Sequence, residues 1–257
     1  MDAIGLYLDL MKRILANTIY QDPASPLSPV KAGPEPPGQA GTFEEERRVK
    51  GEDWPLTAHT MVGLKRLDNV QACMERVLAD GIRGDVIETG VWRGGVCIFM
   101  RAVLLAHGVR DRVVWVADSF EGLPVAGRGS GGLDYEMRLH RLNEVLGVPM
   151  HEVQENFRRY NLLDEQVKFL PGWFCDTLPA APIRELAVLR LDGDLYASTM
   201  DALDSLYPRL AVGGFVIVDD YGLSICRQAI HAYREKHDIK DEILSIDNFG
   251  AYWRRTS

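Results

Sequence analysis

The chain has 257 residues, 46% of them hydrophobic and 26% charged, which is enough apolar material for one large α/β domain with a sizeable core. A net charge of -8, with the longest basic cluster, EEERRVK, offset by its own acids, gives no footprint for a nucleic acid, so no polyanion partner is expected. Cys73, Cys97, Cys175 and Cys226 lie far apart with no CxxC pair, so they predict neither a zinc site nor a disulfide framework and read as small core residues.

The first twenty residues put Leu6, Leu8, Leu10, Met11, Ile14 and Leu15 on roughly one helical face, interrupted by Asp2, Asp9 and Lys12. Such an amphipathic helix lacks a basic n-region and an uninterrupted apolar run, so no membrane partner and a cytoplasmic location are expected. Residues 21–55 are loaded with Pro, Gly, Ser and charge and predict a mobile segment with little regular structure. Helical spacing returns over residues 59–80 and is stopped by DGIRGD.

Short apolar runs then recur at residues 85–88, 113–117, 167–170, 186–191, 215–218 and 242–246, with helical patterns between most of them. That alternation predicts right-handed βαβ crossovers and a mainly parallel sheet. GAYWRR after ILSIDNF predicts an antiparallel hairpin closing the sheet, turned at residues 247–250.

Ligands of parallel sheets bind beyond the carboxyl ends of the strands. Acids end four of the runs: Glu88, Asp118, Asp192 with Asp194, and Asp219 with Asp220. After Glu88 come Gly90, Gly94 and Gly95, with Trp92 and Arg93 in the middle where a dinucleotide GxGxxG site would be crowded. An acid, a spacer and a glycine, then further glycine, resembles the first motif of S-adenosylmethionine-dependent methyltransferases, although a strand-to-helix turn without a ligand needs glycine as well.

Asp118 is placed to accept hydrogen bonds from a ribose diol, or else to cap a helix before Phe120. Gly172 and Trp173 border an adenine ring on one reading, and on the other Trp173 fills the core. If the strands before them are parallel neighbours, Asp192, Asp219 and Asp220 meet at one edge, where carboxylate oxygens around an open position suit Mg²⁺. Salt bridges to Arg190 or Arg227 are the structural alternative.

The segments LYLDLMKR, AHTMVGLKRLDNVQ, VIETGVWRGGVCIFMR, VWVADSFEGLP, NFRRYNLLDEQVKFLPGWFCDTLP, LAVLRLDGDLYASTMDAL and YPRLAVGGFVIVDDYG together resemble the macrocin O-methyltransferase family. The likeness runs over residues 6–255, with residues 22–50 the part that does not match clearly. It implies a class I methyltransferase fold, a Rossmann-like, mostly parallel sheet with helices on both faces. Residues 1–80 would supply N-terminal helices and a lid, and residues 81–257 the methyltransferase core. The implied reaction is methylation of a sugar hydroxyl of a macrolide or aminocoumarin glycoside, with S-adenosylmethionine as donor and Mg²⁺ on Asp192, Asp219 and Asp220. The cofactor set on this reading is Met61, Glu88, Thr89, Gly90, Trp92, Gly94, Asp118, Ser119, Gly172 and Trp173. Asp192, Asp194 and His59 are the candidate bases, with His59 also readable as a structural hydrogen-bonding residue. Family enzymes resemble dimers, so a homodimer or higher homo-oligomer is expected.

The DGD of residues 192–194 also resembles the DxD of metal-dependent glycosyltransferases, the main alternative. The Asp pairs occur in haloacid dehalogenase-like phosphatases too, but there the nucleophilic Asp ends the first strand, whereas here three strands precede it.

Overall fold

The computed structural model describes residues 2–26, 41–125, 134 and 137–257. Asp2 caps helix α1 (Ala3–Leu15) by accepting the Gly5 amide at 2.7 Å, and Lys12 and Arg13 close its last turn, where the helix dipole favours positive charge. Leu8, Met11 and Leu15 are buried, whereas Leu6 is 59% and Leu10 48% exposed. The single apolar face expected for this helix is therefore two stripes, because residues two apart point about 200° away from each other around a helix.

Helix α2 (Glu45–Lys50) lies where composition predicts little regular structure. Glu45 and Glu46 open it, Arg47, Arg48 and Lys50 close it, and Gly51 ends it at φ 67°. The order of charge along the dipole, which bulk composition does not register, favours the helix. Residues 27–40 of the expected lid lie outside the described residues.

Helix α3 (Leu64–Ala79) begins later than the spacing suggests. The His59 and Thr60 amides donate instead to the Leu15 carbonyl at 3.0 and 3.3 Å, and Thr60 Oγ1 accepts the Val62 amide at 3.1 Å. The chain thus crosses the end of α1 before it coils.

Strands β1 (Asp85–Thr89), β2 (Val114–Asp118), β3 (Val167–Pro171), β4 (Leu186–Leu191), β5 (Leu210–Val218), β6 (Leu244–Ser245) and β7 (Ala251–Arg254) form one sheet in the order β3-β2-β1-β4-β5-β7-β6. The first five run parallel, and β7 is antiparallel to both β5 and β6. Asp247 makes the expected hairpin turn, its Oδ1 accepting the amides of Phe249 (2.8 Å) and Gly250 (2.7 Å). The connecting helices are α4 (Gly95–Ala106), α5 (Asn143–Leu146), α6 (Met150–Arg159), α7 (Phe174–Thr177), α8 (Tyr196–Leu206) and α9 (Ser224–Lys236).

Alternate strand residues feed two apolar layers. Val86, Val188 and Ile217 pack with α1, α3 and α4 on one face, and Ile87, Leu189 and Val216 with α8 and α9 on the other. Each buried aliphatic side chain contributes about 1.5–3 kcal/mol. The fold is the expected α/β sheet with helices on both faces, and α1 and α3 share the core of the sheet through Leu8, Leu15, Leu67 and Val70. Cys73, Cys97 and Cys226 are buried, but Cys175 on the short α7 is exposed, a correction to its reading as a core residue. Among the described residues no helix is long and apolar enough to cross a membrane.

Candidate active site

Strand order reverses at β1, which lies between β2 and β4, and a parallel sheet leaves a crevice beyond its strand ends at such a point. The backbone ladder continues past those ends. Gly90 N–H donates to Ala117 O (2.8 Å), Gly172 N–H to Asp118 O (2.9 Å), Asp192 N–H to Thr89 O (2.9 Å) and Asp219 N–H to Leu191 O (2.9 Å). The acids that end the strands are thereby delivered to one rim. Gly90 is required there, since its φ is 90° and a Cβ would approach the Asp192 carbonyl oxygen to 1.8 Å.

A cleft of about 340 Å³ opens at this rim. Of the candidate cofactor residues, Met61, Glu88, Gly90, Trp92, Asp118, Ser119, Gly172 and Trp173 line it, as do Asp192, Asp194, Asp219 and Asp220. Three candidates stand behind the lining. Thr89 is buried, its hydroxyl donating to Arg190 O at 3.3 Å, and Gly94 (φ 82°) packs beneath Val153 and Phe157 of α6. His59 Nδ1 is 2.7 Å from the Tyr160 hydroxyl, and burial with the nearby Arg159 and Arg93 pushes the imidazole down to about 4. This geometry favours the structural role for His59.

Most of the lining acids have partners. Asp118 Oδ2 accepts the Val91 amide (2.7 Å) and Oδ1 the Phe120 amide (2.8 Å), so the carboxylate does stabilise the turn before Phe120 while facing the cleft. The Ser119 hydroxyl lies 3.4 Å from Oδ1 as a further donor. Glu88 is ion-paired with Arg190 and accepts from Cys97 Sγ at 2.9 Å, and burial pushes it up to about 7. Trp92, at φ 47°, donates Nε1–H to Val145 O (2.8 Å) beneath the Arg93 guanidinium, 4.1 Å from its ring.

Candidate metal-ligand oxygens of Asp192, Asp219 and Asp220 all lie within 4.8 Å of one another. Of the two arginines offered as salt-bridge partners, Arg190 does pair, with Asp192 at 2.7 Å and with Asp219, and Arg66 of α3 rather than Arg227 adds a second pair to Asp219. Those two guanidiniums hold Asp219 below the usual carboxylate range, although burial opposes them. Burial and Asp219 raise Asp192 to about 6, and burial with Asp192 and Asp219 raises Asp194 to about 8. Asp220 is pushed well up by burial and by Asp194.

Arg66 was open to discovery in the sequence. It falls on the stripe of Leu67, Val70 and Cys73 that α3 buries, a position where an unpaired cation would be costly. Asp134 carried no such signal. It is buried and accepts the Tyr196 (2.8 Å) and Ala197 (3.0 Å) amides, holding the start of α8 directly after the DGD turn.

A model of the macrocin O-methyltransferase family (TylF) matches residues 4–255. The chain belongs to this family. It is 59% identical, over 100% of its length and 95% of the relative's, to the 8-demethyl-8-(2,3-dimethoxy-alpha-L-rhamnosyl)-tetracenomycin-C 4'-O-methyltransferase of Streptomyces olivaceus. It is 54% identical, over 99% of its length and 98% of the relative's, to the mycinamicin III 3''-O-methyltransferase of Micromonospora griseorubida. The solved structure of the O-methyltransferase NovP superposes with a TM-score of 0.92 at 55% identity, covering 99% of this chain and 100% of that one. This family member is thus an O-methyltransferase with the class I fold, whose methyl donor is S-adenosylmethionine, and the glycosyltransferase alternative has no support.

Proposed function

We propose that the enzyme transfers a methyl group from S-adenosylmethionine to a sugar hydroxyl of a glycosylated natural product, with Mg²⁺ at the acid edge. The acceptor class rests on what the relatives methylate, a rhamnosyl unit in one and a mycinamicin in another. The metal rests on the cluster itself. Glu88, Asp192, Asp194, Asp219 and Asp220 are five acids facing two guanidiniums, and Arg66 is further shared with Asp247 at 3.1 Å. The carboxyls left over must stay protonated or find a cation. An all-oxygen donor set with room for further ligands fits Mg²⁺.

Held by Asp192, Asp219 and Asp220, Mg²⁺ would supply positive charge that orients the acceptor and lowers the pKa of its hydroxyl. S-adenosylmethionine would supply a methyl on a sulfonium, with Glu88 and Asp118 at its polar edge and Met61 and Trp173 at its apolar one. We assign the base to Asp194. Among the described residues its carboxyl group accepts no hydrogen bond, while Asp192 is engaged by Arg190 at 2.7 Å. Asp194 would take the acceptor's hydroxyl proton while the sulfonium supplies the methyl, leaving S-adenosylhomocysteine. A cytoplasmic homodimer completes the proposal, and the exposed Leu6 and Leu10 of α1 offer it an apolar contact.

The convergence of Asp192, Asp219 and Asp220 beside Asp194 carries the reading. Incubation with S-adenosylmethionine, Mg²⁺ and a panel of demethyl macrolide, aminocoumarin and rhamnosylated aromatic glycosides, followed by fragmentation mass spectrometry, should place one new methyl on a sugar. A methyl on an aglycone would contradict it.

A further inference from the structure

Arg48, on α2, is 1% exposed, and all five guanidinium N–H donors are matched. Nε donates to both Asp53 oxygens (2.9 and 3.0 Å) and Nη2 to Asp53 Oδ2 (2.8 Å) and to Asp22 O (3.0 Å). Nη1 donates to Asp22 Oδ1 (2.7 Å) and to Ala16 O (3.1 Å). The other Asp22 oxygen accepts the amides of Thr57 (2.6 Å) and Ala58 (3.2 Å). One cation thus ties together the end of α1, the start of the segment 22–53 and its return. Well-packed apolar side chains could hold a fold at lower desolvation cost, so the value of such a cluster lies in fixing one geometry.

What the clasp fixes is a wall of the cleft. Gly51, Glu52 and Trp54, which follow Arg48 in the chain, line the cleft, and the Gly51 carbonyl receives Arg66 Nη2 at 3.4 Å, beside Asp219. Residues 55–60 have supports besides the clasp's Asp22: Arg93 donates to Pro55 O (3.3 Å) and Ala58 O (2.8 Å), and the His59 carbonyl accepts the Gly95 amide at 3.0 Å. The glycine turn after β1 therefore has its own supports. The stretch 51–54 is held by Arg48 through Asp53, together with Arg47 Nη2 on Glu52 O (3.1 Å), Arg66 Nη2 on Gly51 O (3.4 Å) and Ser25 N–H on Trp54 O (2.7 Å).

We propose that Arg48 is a positioning residue for the acceptor: with Asp22 and Asp53 it clamps both ends of the segment 22–53, so that Gly51, Glu52 and Trp54 form a fixed acceptor wall on the Asp219 side of the cleft. This rests on the reading that the enzyme methylates an acceptor held beside those acids. Arg48→Lys keeps the charge and loses the fork, and Asp53→Asn keeps the shape and loses a charge.

The test combines hydrogen exchange, calorimetric titration with S-adenosylhomocysteine, and kinetics on whichever panel glycoside the wild type methylates. In both variants the amides of residues 51–54 should exchange at least tenfold faster while those of α3 and β1 keep wild-type protection. The S-adenosylhomocysteine Kd should stay within twofold, and the acceptor KM should rise at least tenfold with a smaller change in kcat. Wild-type protection at residues 51–54 would overturn the proposal. So would protection lost throughout the chain together with S-adenosylhomocysteine binding, or failure of both variants to fold, since the clasp would then serve the whole fold. Exchange and titration need no acceptor, so they decide the clasp even if no panel glycoside is methylated, an outcome that counts against the acceptor reading alone.

Discussion

The backbone amide of Asp194 donates to Asp220 Oδ2 at 3.1 Å, which docks the turn after β4 onto the acid that follows β5. The turn is held with Asp194 in the left-handed region, at φ 57°, a conformation that for a non-glycine residue must be stabilised by its surroundings. The bond places the proposed base beside a proposed cation ligand. Asp194→Asn keeps size and backbone bond but cannot accept the acceptor proton, so kcat should fall about 10²–10⁴-fold. Calorimetry should find Mg²⁺ and S-adenosylhomocysteine affinities within a few-fold of wild type. A variant with undiminished kcat would move the base elsewhere.

Asp118 and Asp219 should separate by ligand. Asp118→Ala removes the acceptor for the Val91 and Phe120 amides as well as for a ribose, so cofactor binding should weaken by about 1.5–3 kcal/mol. Asp219→Asn should leave the cofactor Kd nearly intact and weaken Mg²⁺. It should also lower thermal stability, because Arg66 and Arg190 lose a charged partner in a buried site. Titrating both variants with both ligands checks this, and equal loss of cofactor affinity would end the division of roles.

The acid cluster predicts an unusual pH dependence of stability. Glu88, Asp192 and Asp194 are raised to about 7, 6 and 8, above their values in an unfolded chain, so over this range the native state binds more protons than the unfolded one. Stability contributed by these protonated groups is present at low pH and is lost as pH rises through 6 to 8. Asp219, lowered, works the other way but only below the usual carboxylate range. Chelator-treated protein should therefore melt at lower temperature at pH 8 than at pH 5.5, and Mg²⁺ should raise the melting temperature more at pH 8. A calorimetric melting series with and without Mg²⁺ measures both, and a Mg²⁺ effect independent of pH would contradict the cluster's role.

Strands β1, β2, β4 and β5 and their terminal acids were legible in the sequence because each is an apolar run that stops at an acid, as at Leu189 to Asp192. The hairpin was legible through Asp247 and Gly250. Partners contributed from far along the chain were not. Arg66 lies 153 positions from Asp219, and its pairing depends on how α3 packs, which periodicity alone does not give. The structured parts of residues 21–55 were missed for a similar reason. Composition averages over Asp22, Arg48 and Asp53, whereas the fold brings them into one buried cluster. Cys175 and the outward Leu6 and Leu10 show the converse, apolar character that the fold leaves at the surface.

Divalent-cation dependence tests the central claim most directly. Purified enzyme is stripped with EDTA, dialysed, and assayed for methyl transfer to a panel glycoside, with Mg²⁺ titrated back in and S-adenosylhomocysteine binding followed in parallel. Turnover should vanish on chelation and return with Mg²⁺, with cofactor binding retained throughout. Full turnover in the stripped enzyme would contradict the account, leaving Asp192 and Asp219 as partners of Arg190 and Arg66, and Asp220 as the acceptor of the Asp194 amide.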